Sequence, residues 1–332
     1  MPEAGRSTTC PHCDASGQST SVCSTCARLL TVCGGVRLGV EIDRGGVARI
    51  HAATAPDGAE AAVKVLDRTP IHGSAVHRLF ARSARLLAGF SHPGLPRVLG
   101  FETNRRRSFF AMERLHGGTL WSRAAQGERL RGAQIDLLLR RLLETAAYLH
   151  ARELVHGDVT PRNVMFRSAH DTQPVLVDFN GLCTTDERDV ASLVMTPGYT
   201  APEQRVGELS FGSDLFGIGA TVIFAATGKA PDRLERLGAH LDVDLSAADV
   251  SPTTRTLLQR LVALDPLRRP ASAAAALQSL GAVVERVRTV RGGLEARWLG
   301  SKLLVAALLA LLVVGVALGL LAMAGVAPAR PM

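Results

Sequence analysis

Residues Val155–Phe166 read VHGDVTPRNVMF, and the reading of the whole chain turns on them. They set Asp158 and Asn163 five residues apart in a segment that Pro161 keeps from continuing as helix. Twelve residues past Phe166, the apolar run in PVLVDFNG (Pro174–Gly181) reads as a short buried strand that delivers a second acid, Asp178. Two carboxylates and an amide converging from two loops make a hard-oxygen site, the donor set magnesium prefers beside phosphate oxygens.

Outward from this site the texture of the chain divides. Upstream, from Val36 to Met112, the short apolar runs VRLGVEI, VARIHAAT, AAVKVL and SFFAMERL alternate with Gly-containing turns. One helical stretch, Ser74–Gly89, interrupts them with Val76, Leu79, Phe80, Leu86 and Leu87 at three- and four-residue steps. A small antiparallel sheet carrying one helix is the assembly this predicts. Downstream, longer helical patterns take over at Gln134–Arg152, Phe211–Thr227 and Asp265–Leu280. The expectation is an α+β fold of two lobes, joined at HGGTL (His116–Leu120).

Bulk composition narrows the partners. The 332 residues are 47% hydrophobic but only 4% aromatic, and the net charge of +8 comes from arginines spread along the chain. A basic surface interleaved with aromatic rings, as single-stranded nucleic acid requires, is missing, so a nucleic-acid partner is not expected. An Arg-rich solvated surface is the preferred account of the charge, with anionic lipid or acidic substrates as the other readings.

Both ends carry appendages. Cys10, Cys13, Cys23 and Cys26 form CPHC and CSTC, two knuckles that together supply four thiolates for a tetrahedral zinc ion. No apolar leader precedes them, which favours a reducing compartment and metal over disulfide; a disulfide pair or a redox CxxC is the other reading. Such a segment, residues 1–33, would resemble a zinc ribbon and depend on metal to fold. His12 reads as a bystander, and the isolated Cys33 and Cys183 as small buried apolar residues. Near the other end, a basic linker at 286–302 precedes Leu303–Val326, which holds no charged residue. At 1.5 Å per residue it reaches about 36 Å, enough for a hydrocarbon core of about 30 Å. The basic flank on its N-terminal side predicts a single-pass helix with the body in the cytoplasm, anchored at the cytoplasmic (inner) membrane, and a short outer tail at 327–332. Gly315 and Gly319 offer a GxxxG face for a second copy.

From Val36 to Val284 the ordered blocks AAVK, FSHPGLPRV, FAMERLHGGTL, HGDVTPRN, DFNG, TPGYTAPE, SDLFGIG and LDPLRRP resemble a eukaryotic-type (Hanks-type) bacterial serine/threonine protein kinase. The resemblance implies a kinase domain over 36–285, with an N-lobe to residue 115 and a C-lobe from 116. It implies ATP as phosphoryl donor, Mg2+ (or Mn2+) as its counter-ion and protein Ser/Thr hydroxyls as acceptors. It assigns Lys64 to the α- and β-phosphates, Asp158 to the substrate hydroxyl, and Asn163 and Asp178 to the metal. Gly45 falls in the phosphate-covering loop. Ile50, Ala62 and Met165 would enclose the adenine, with Met112 behind it and Glu113–Leu115 as the hinge. Thr196 would shape the acceptor site for Ser or Thr, Glu203 would pair with Arg269 as a structural bridge, and Asp214 would brace the catalytic loop.

The departures from the family pattern fall around these residues. DRGGVA, starting at Asp43, stands where GxGxxG is expected, with Ala48 at the third position. Ser83 takes the place of the helix glutamate that should pin Lys64, and no acid occurs between Asp67 and Glu102. Gly157 replaces the Arg of HRD, Thr160 the catalytic-loop Lys, and Asn180 the Gly of DFG. Loss of the HRD Arg argues against switching by activation-loop phosphate. Together these changes give the alternative reading, a kinase-like scaffold with weak or no catalysis.

Overall fold

The computed structural model describes residues 10–15, 23–25, 30–45, 48–67, 73–103, 107–179, 182–184, 195–229, 236–237, 240–241, 245 and 249–281. Cys26, Asn180, Gly181, the basic linker, the apolar stretch 303–326 with Gly315 and Gly319, and the tail lie outside them. Among the described residues no helix is long and apolar enough to cross a membrane. The chain divides into units Met1–Ser279 and Leu280–Met332, and both lobes, the candidate site and the described cysteines belong to the first.

Six strands form the N-lobe sheet: β1 (Thr31–Val32), β2 (Val36–Arg44), β3 (Arg49–Thr54), β4 (Glu60–Asp67), β5 (Val98–Thr103) and β6 (Arg107–Glu113). Their order is β1-β2-β3-β4-β6-β5, and every pairing is antiparallel. The expected apolar runs supply four of these strands. β5 and the two-residue β1 join them, and β1 comes from within the segment read as a metal knuckle.

Register then decides what each face of the sheet does. Ile50 pairs with Lys64, Lys64 with Phe110 and Ala62 with Met112. Because side chains alternate along a strand, Ile50, Ala62, Lys64, Phe110 and Met112 share one face. The other face carries Val63, Val65, Phe109 and Ala111, all buried in a cluster with Val32, Cys33 and Val36. An apolar sheet face must be covered, and the N-terminal segment lies on this side. The Arg107 guanidinium donates to the Pro11 carbonyl (2.7 Å) and to both oxygens of Asp14, while the His12 ring meets Phe109 edge-on at 5.9 Å.

Helix α1 (Gly73–Ala88) packs the site-facing side of the sheet. Its Phe80, Ala84 and Leu87 recur at helical spacing and bury against Leu66 and Phe110, and against Leu149, Leu154, Phe179 and Leu182 of the C-lobe. Burying each Leu or Phe stabilises by about 1.5–3 kcal/mol, so this seam holds the lobes together.

At the lobe junction, Thr119 caps α2 (Leu120–Ala125) in a reciprocal capping box with Ser122. The C-lobe continues with α3 (Ala133–His150), the antiparallel partners β7 (Leu154–Val155) and β10 (Cys183–Thr184), and the pair β8 (Val164–Phe166) and β9 (Pro174–Leu176). Helices α4 (Phe211–Thr227), α5 (Pro252–Leu261) and α6 (273–281) complete it. The expected single helix over Asp265–Leu280 is instead a 3-10 turn, Pro266–Arg268, followed by α6. Pro270 explains the break: it has no N–H to give, and it disfavours helical geometry at Arg269 before it.

Candidate active site

The segment 156–163 between β7 and β8 is a loop built on a buried carboxylate. Asp214, in the first turn of α4, accepts the backbone N–H of His156 (2.9 Å) and of Gly157 (2.8 Å), and bonds His150 Nε2 (2.9 Å). Burial alone would raise its pKa, but the bond from His150, the charges of His150 and His156 and the Gly157 amide overcome that and hold it below its ordinary value. Gly157 adopts a φ of +78°, the left-handed region that glycine enters without penalty, and its carbonyl accepts from Gln204 Nε2 at 2.9 Å. Gly217 lets α4 lie close beneath, since a Cβ there would stand 2.9 Å from the Val159 carbonyl oxygen.

On this base Asp158 is held at both oxygens. Thr196 Oγ1 donates to Oδ1 (2.8 Å), and Asn163 Nδ2 donates to Oδ2 (2.7 Å) and to the Asp158 carbonyl (2.9 Å). Burial raises the Asp158 pKa, with the two donors working against the rise. A carboxylate raised in this way is a stronger proton acceptor at neutral pH than an exposed one. Thr196 is itself fixed, its N–H donating to Thr200 Oγ1 at 2.7 Å.

Asp178 emerges from β9 with a φ of +63°, uncommon for a residue with a side chain. Its Oδ1 accepts from Lys64 Nζ at 2.8 Å, which joins the two lobes across the cleft. Ser83, in α1, bonds elsewhere: its hydroxyl donates to the Phe179 carbonyl at 2.7 Å. A cavity of about 30 Å³ behind Met112 is bordered by Lys64, Ser83, Phe110 and Phe179.

At the rim, Asp43 and Arg44 belong to β2, paired with Ile50 and Arg49, and the Gly45 N–H donates to the Ala48 carbonyl. Asp43 is exposed. Ala62 is buried, and Ile50, Met112, Leu115 and Met165 are half-buried along the cleft. At the hinge, Glu113 gives its N–H to the Arg97 carbonyl and receives Arg167 on its carboxylate at 2.8 Å. Away from the cleft, Arg269 meets Glu203 at 2.6 Å with both side chains buried, and Ser213, Ala263 and Gly212 satisfy the remaining groups. A buried pair of this kind needs such full satisfaction to offset its desolvation.

The sequence reading missed Gln204, His150 and Arg167. Gln204 follows Glu203 directly, but nothing local to it indicates a partner at Gly157.

The described cysteines form a second candidate site. The sulfurs of Cys10, Cys13 and Cys23 lie within 4.8 Å of one another, with Cys13 and Cys23 at 3.6 Å. Thiolates at two corners of a zinc tetrahedron stand about 3.8 Å apart, so the spacing fits. Backbone N–H groups of His12 and Thr25 point at Cys10 and Cys23 sulfurs, both at 3.4 Å. Burial pushes the Cys10 thiol up to about 12, so a cation is what would make it a thiolate.

The fold and the paired acids define a protein kinase domain, and the comparisons agree. The chain belongs to the protein kinase domain family, whose model matches residues 37–280. It is 32% identical over 226 residues to serine/threonine-protein kinase C of Synechocystis sp., covering 64% of this chain and 42% of that one. It is 28% identical over 228 residues to serine/threonine-protein kinase PknA of Nostoc sp. (64% and 40%), and 30% identical over 257 residues to serine/threonine-protein kinase pkn2 of Myxococcus xanthus (71% and 31%). The matches thus span well under half the length of these curated relatives. Among solved structures, Rad53 1-466 in complex with AMP-PNP is similar in fold, with a TM-score of 0.58 at 22% identity over 72% of this chain and 63% of that one.

Proposed function

We propose that the protein is a serine/threonine kinase that transfers the γ-phosphoryl group of ATP to protein hydroxyls. The observation that carries the reading is Asp158, held at one oxygen by Asn163 and at the other by Thr196, in the same cleft where Asp178 of its own lobe pairs with Lys64 of the opposite one. Asp158 orients the acceptor hydroxyl and takes its proton as the phosphoryl group departs, aided by the raised pKa that burial gives it. Thr196 keeps the lone pair of Asp158 on the acceptor side and borders the place where a small alcohol enters. Lys64, a point charge in the middle of β4, holds ATP phosphates. Asp178 and the oxygen of Asn163 suit Mg2+, which when bound neutralises phosphate charge; the donors are hard and anionic, as that ion demands. Adenine fits between Ile50 and Ala62 above and Met165 below, with Met112 behind. Since the Glu113 N–H is committed to Arg97, Leu115 supplies the hinge donor.

The N-terminal cysteines hold a structural zinc ion, with Cys26 as fourth ligand, and the knuckle so formed caps the outer face of the N-lobe sheet. The basic linker and the 24 uncharged residues that follow anchor the protein once through the inner membrane, kinase domain inside, with signalling as its role. Gly315 and Gly319 provide the face for a homodimer.

The test is transfer of labelled phosphate from ATP to a generic protein acceptor by the full chain, beside Asp158→Asn and Lys64→Met. Wild-type transfer that both variants lose supports the reading. Equal background in all three overturns it.

A further inference from the structure

Helix α1 has no acid to offer Lys64, yet its buried face is not wholly apolar. Ser83 is 5% exposed among Phe80, Ala84 and Leu87, and a hydroxyl placed there needs a partner. It has one in the Phe179 carbonyl, 2.7 Å away and 96 residues distant in sequence. Phe179 follows Asp178, the residue whose positive φ aims its carboxylate at Lys64. A backbone in a sparsely populated region persists only when its surroundings fix it from several sides. Here the Phe179 ring lies edge-on to His156 at 4.9 Å, and the Phe179 carbonyl is bonded by Ser83. The route from helix to lysine therefore runs through the turn: Ser83 to Phe179, Phe179 to Asp178, Asp178 to Lys64.

We infer that Ser83 is a positioning residue of the phosphotransfer site, whose hydroxyl fixes the Asp178–Phe179 turn and through it the carboxylate that meets Lys64. The inference rests on the kinase reading of Lys64 and Asp178. It replaces a carboxylate acting on the lysine with a neutral hydrogen bond acting on the turn, so that α1 controls the nucleotide and metal side of the site. The acceptor side, built on Asp158 and Thr196, has no contact with Ser83 in this arrangement.

The cavity beside Ser83, about 30 Å³, has room for one added methyl group, which makes a clean comparison available. Ser83→Thr keeps the hydroxyl; Ser83→Val has the same shape without it. In the full chain purified in detergent, two quantities would be measured for each: Mg2+-dependent affinity for a non-hydrolysable ATP analogue, and kcat/KM for ATP alongside KM for the protein acceptor. Ser83→Thr is expected within about twofold of wild type. Ser83→Val is expected to lose about tenfold in both the analogue affinity and kcat/KM for ATP, the size of one net hydrogen bond, with KM for the acceptor unchanged. Equal values for the Thr and Val variants would overturn the inference, as would a Val defect that raises the acceptor KM equally. Should Val not fold by circular dichroism, Ser83→Ala against wild type decides on the same two outcomes. If wild type transfers no phosphate, the kinase reading falls while the analogue affinities still decide the role of Ser83; a wild type that binds no analogue overturns both.

Discussion

Asp158 and Lys64 face the same cleft but are held in very different ways. Every group around Asp158 is braced: its two oxygens by Asn163 and Thr196, the preceding Gly157 by Asp214 at the amide and Gln204 at the carbonyl, and Asp214 in turn by His150. Around Lys64 the contacts are of another kind. It pairs with an Asp178 whose side chain is 40% exposed, α1 contributes a hydroxyl in place of a charge, and β2 carries an exposed Asp43. On the proposed roles, the half given to the proton is held by neutral donors on both carboxylate oxygens, while the half given to phosphates is held by an ion pair between the lobes. Changes on the first side should therefore act on turnover and fold, and changes on the second on nucleotide affinity.

The largest expected effect is on the braced side. Asp158→Asn should lower kcat by about 10²–10⁴-fold, the usual worth of a positioned general base, and leave the KM for ATP near wild type. A large rise in that KM would erase the division between the halves. Next, Asp214→Ala should destabilise the C-lobe by about 3–5 kcal/mol, because it strips a buried carboxylate from His150 and from two amides. The sign with pH follows from the direction of the shift. A carboxylate held below its ordinary 3.8 stabilises the fold at every pH above that value, and loses this contribution as pH falls through its own lower pKa. The gap in stability between wild type and Asp214→Asn, followed by urea unfolding, should thus be constant from pH 7 to 5 and narrow below pH about 4. A gap that widens in acid would show that the fold raises the Asp214 pKa instead of lowering it.

A smaller effect tests the back of the N-lobe. Removing metal with a chelator, or replacing Arg107 with Ala, should lower the melting temperature by a few degrees, about 1–2 kcal/mol for the Arg107 contacts alone. An unchanged melting point after verified metal loss would detach the knuckle from the lobe. The smallest effect is at the rim: Asp43→Gly should tighten ATP by about two- to fivefold, an increment that fades with added salt as expected of an exposed charge. Tightening that survives high salt would point to backbone freedom in place of charge.

The sequence was legible where function is written in local spacing. Asp158, Asn163 and Asp178 declare themselves through loop residues and a short apolar run, and Phe211–Thr227 through its helical pattern, with the observed helix sharing those bounds. What stayed hidden depends on contacts far apart in the chain. A two-residue strand such as β1 carries no periodicity, and β5 was obscured by Gly100 and the prolines before it. Ser83 could be recognised as a missing glutamate but not as a donor to Phe179, because only the fold brings residues 96 apart together. The reach of β2 to Arg44 was invisible for the opposite reason, since Asp43 and Arg44 look like loop residues and pair as strand through their backbone alone.

The buried outer face of the N-lobe sheet separates two kinds of boundary. Similarity to other kinases begins at residue 37, but Val63, Val65 and Phe109 share their cluster with Val32 and Cys33, and Arg107 is bonded to Pro11 and Asp14. The N-lobe as folded therefore includes Pro11 and Asp14, ahead of the unit that aligns. An expression fragment trimmed to the alignment would be cut through its own core, and its poor behaviour would say nothing about the enzyme.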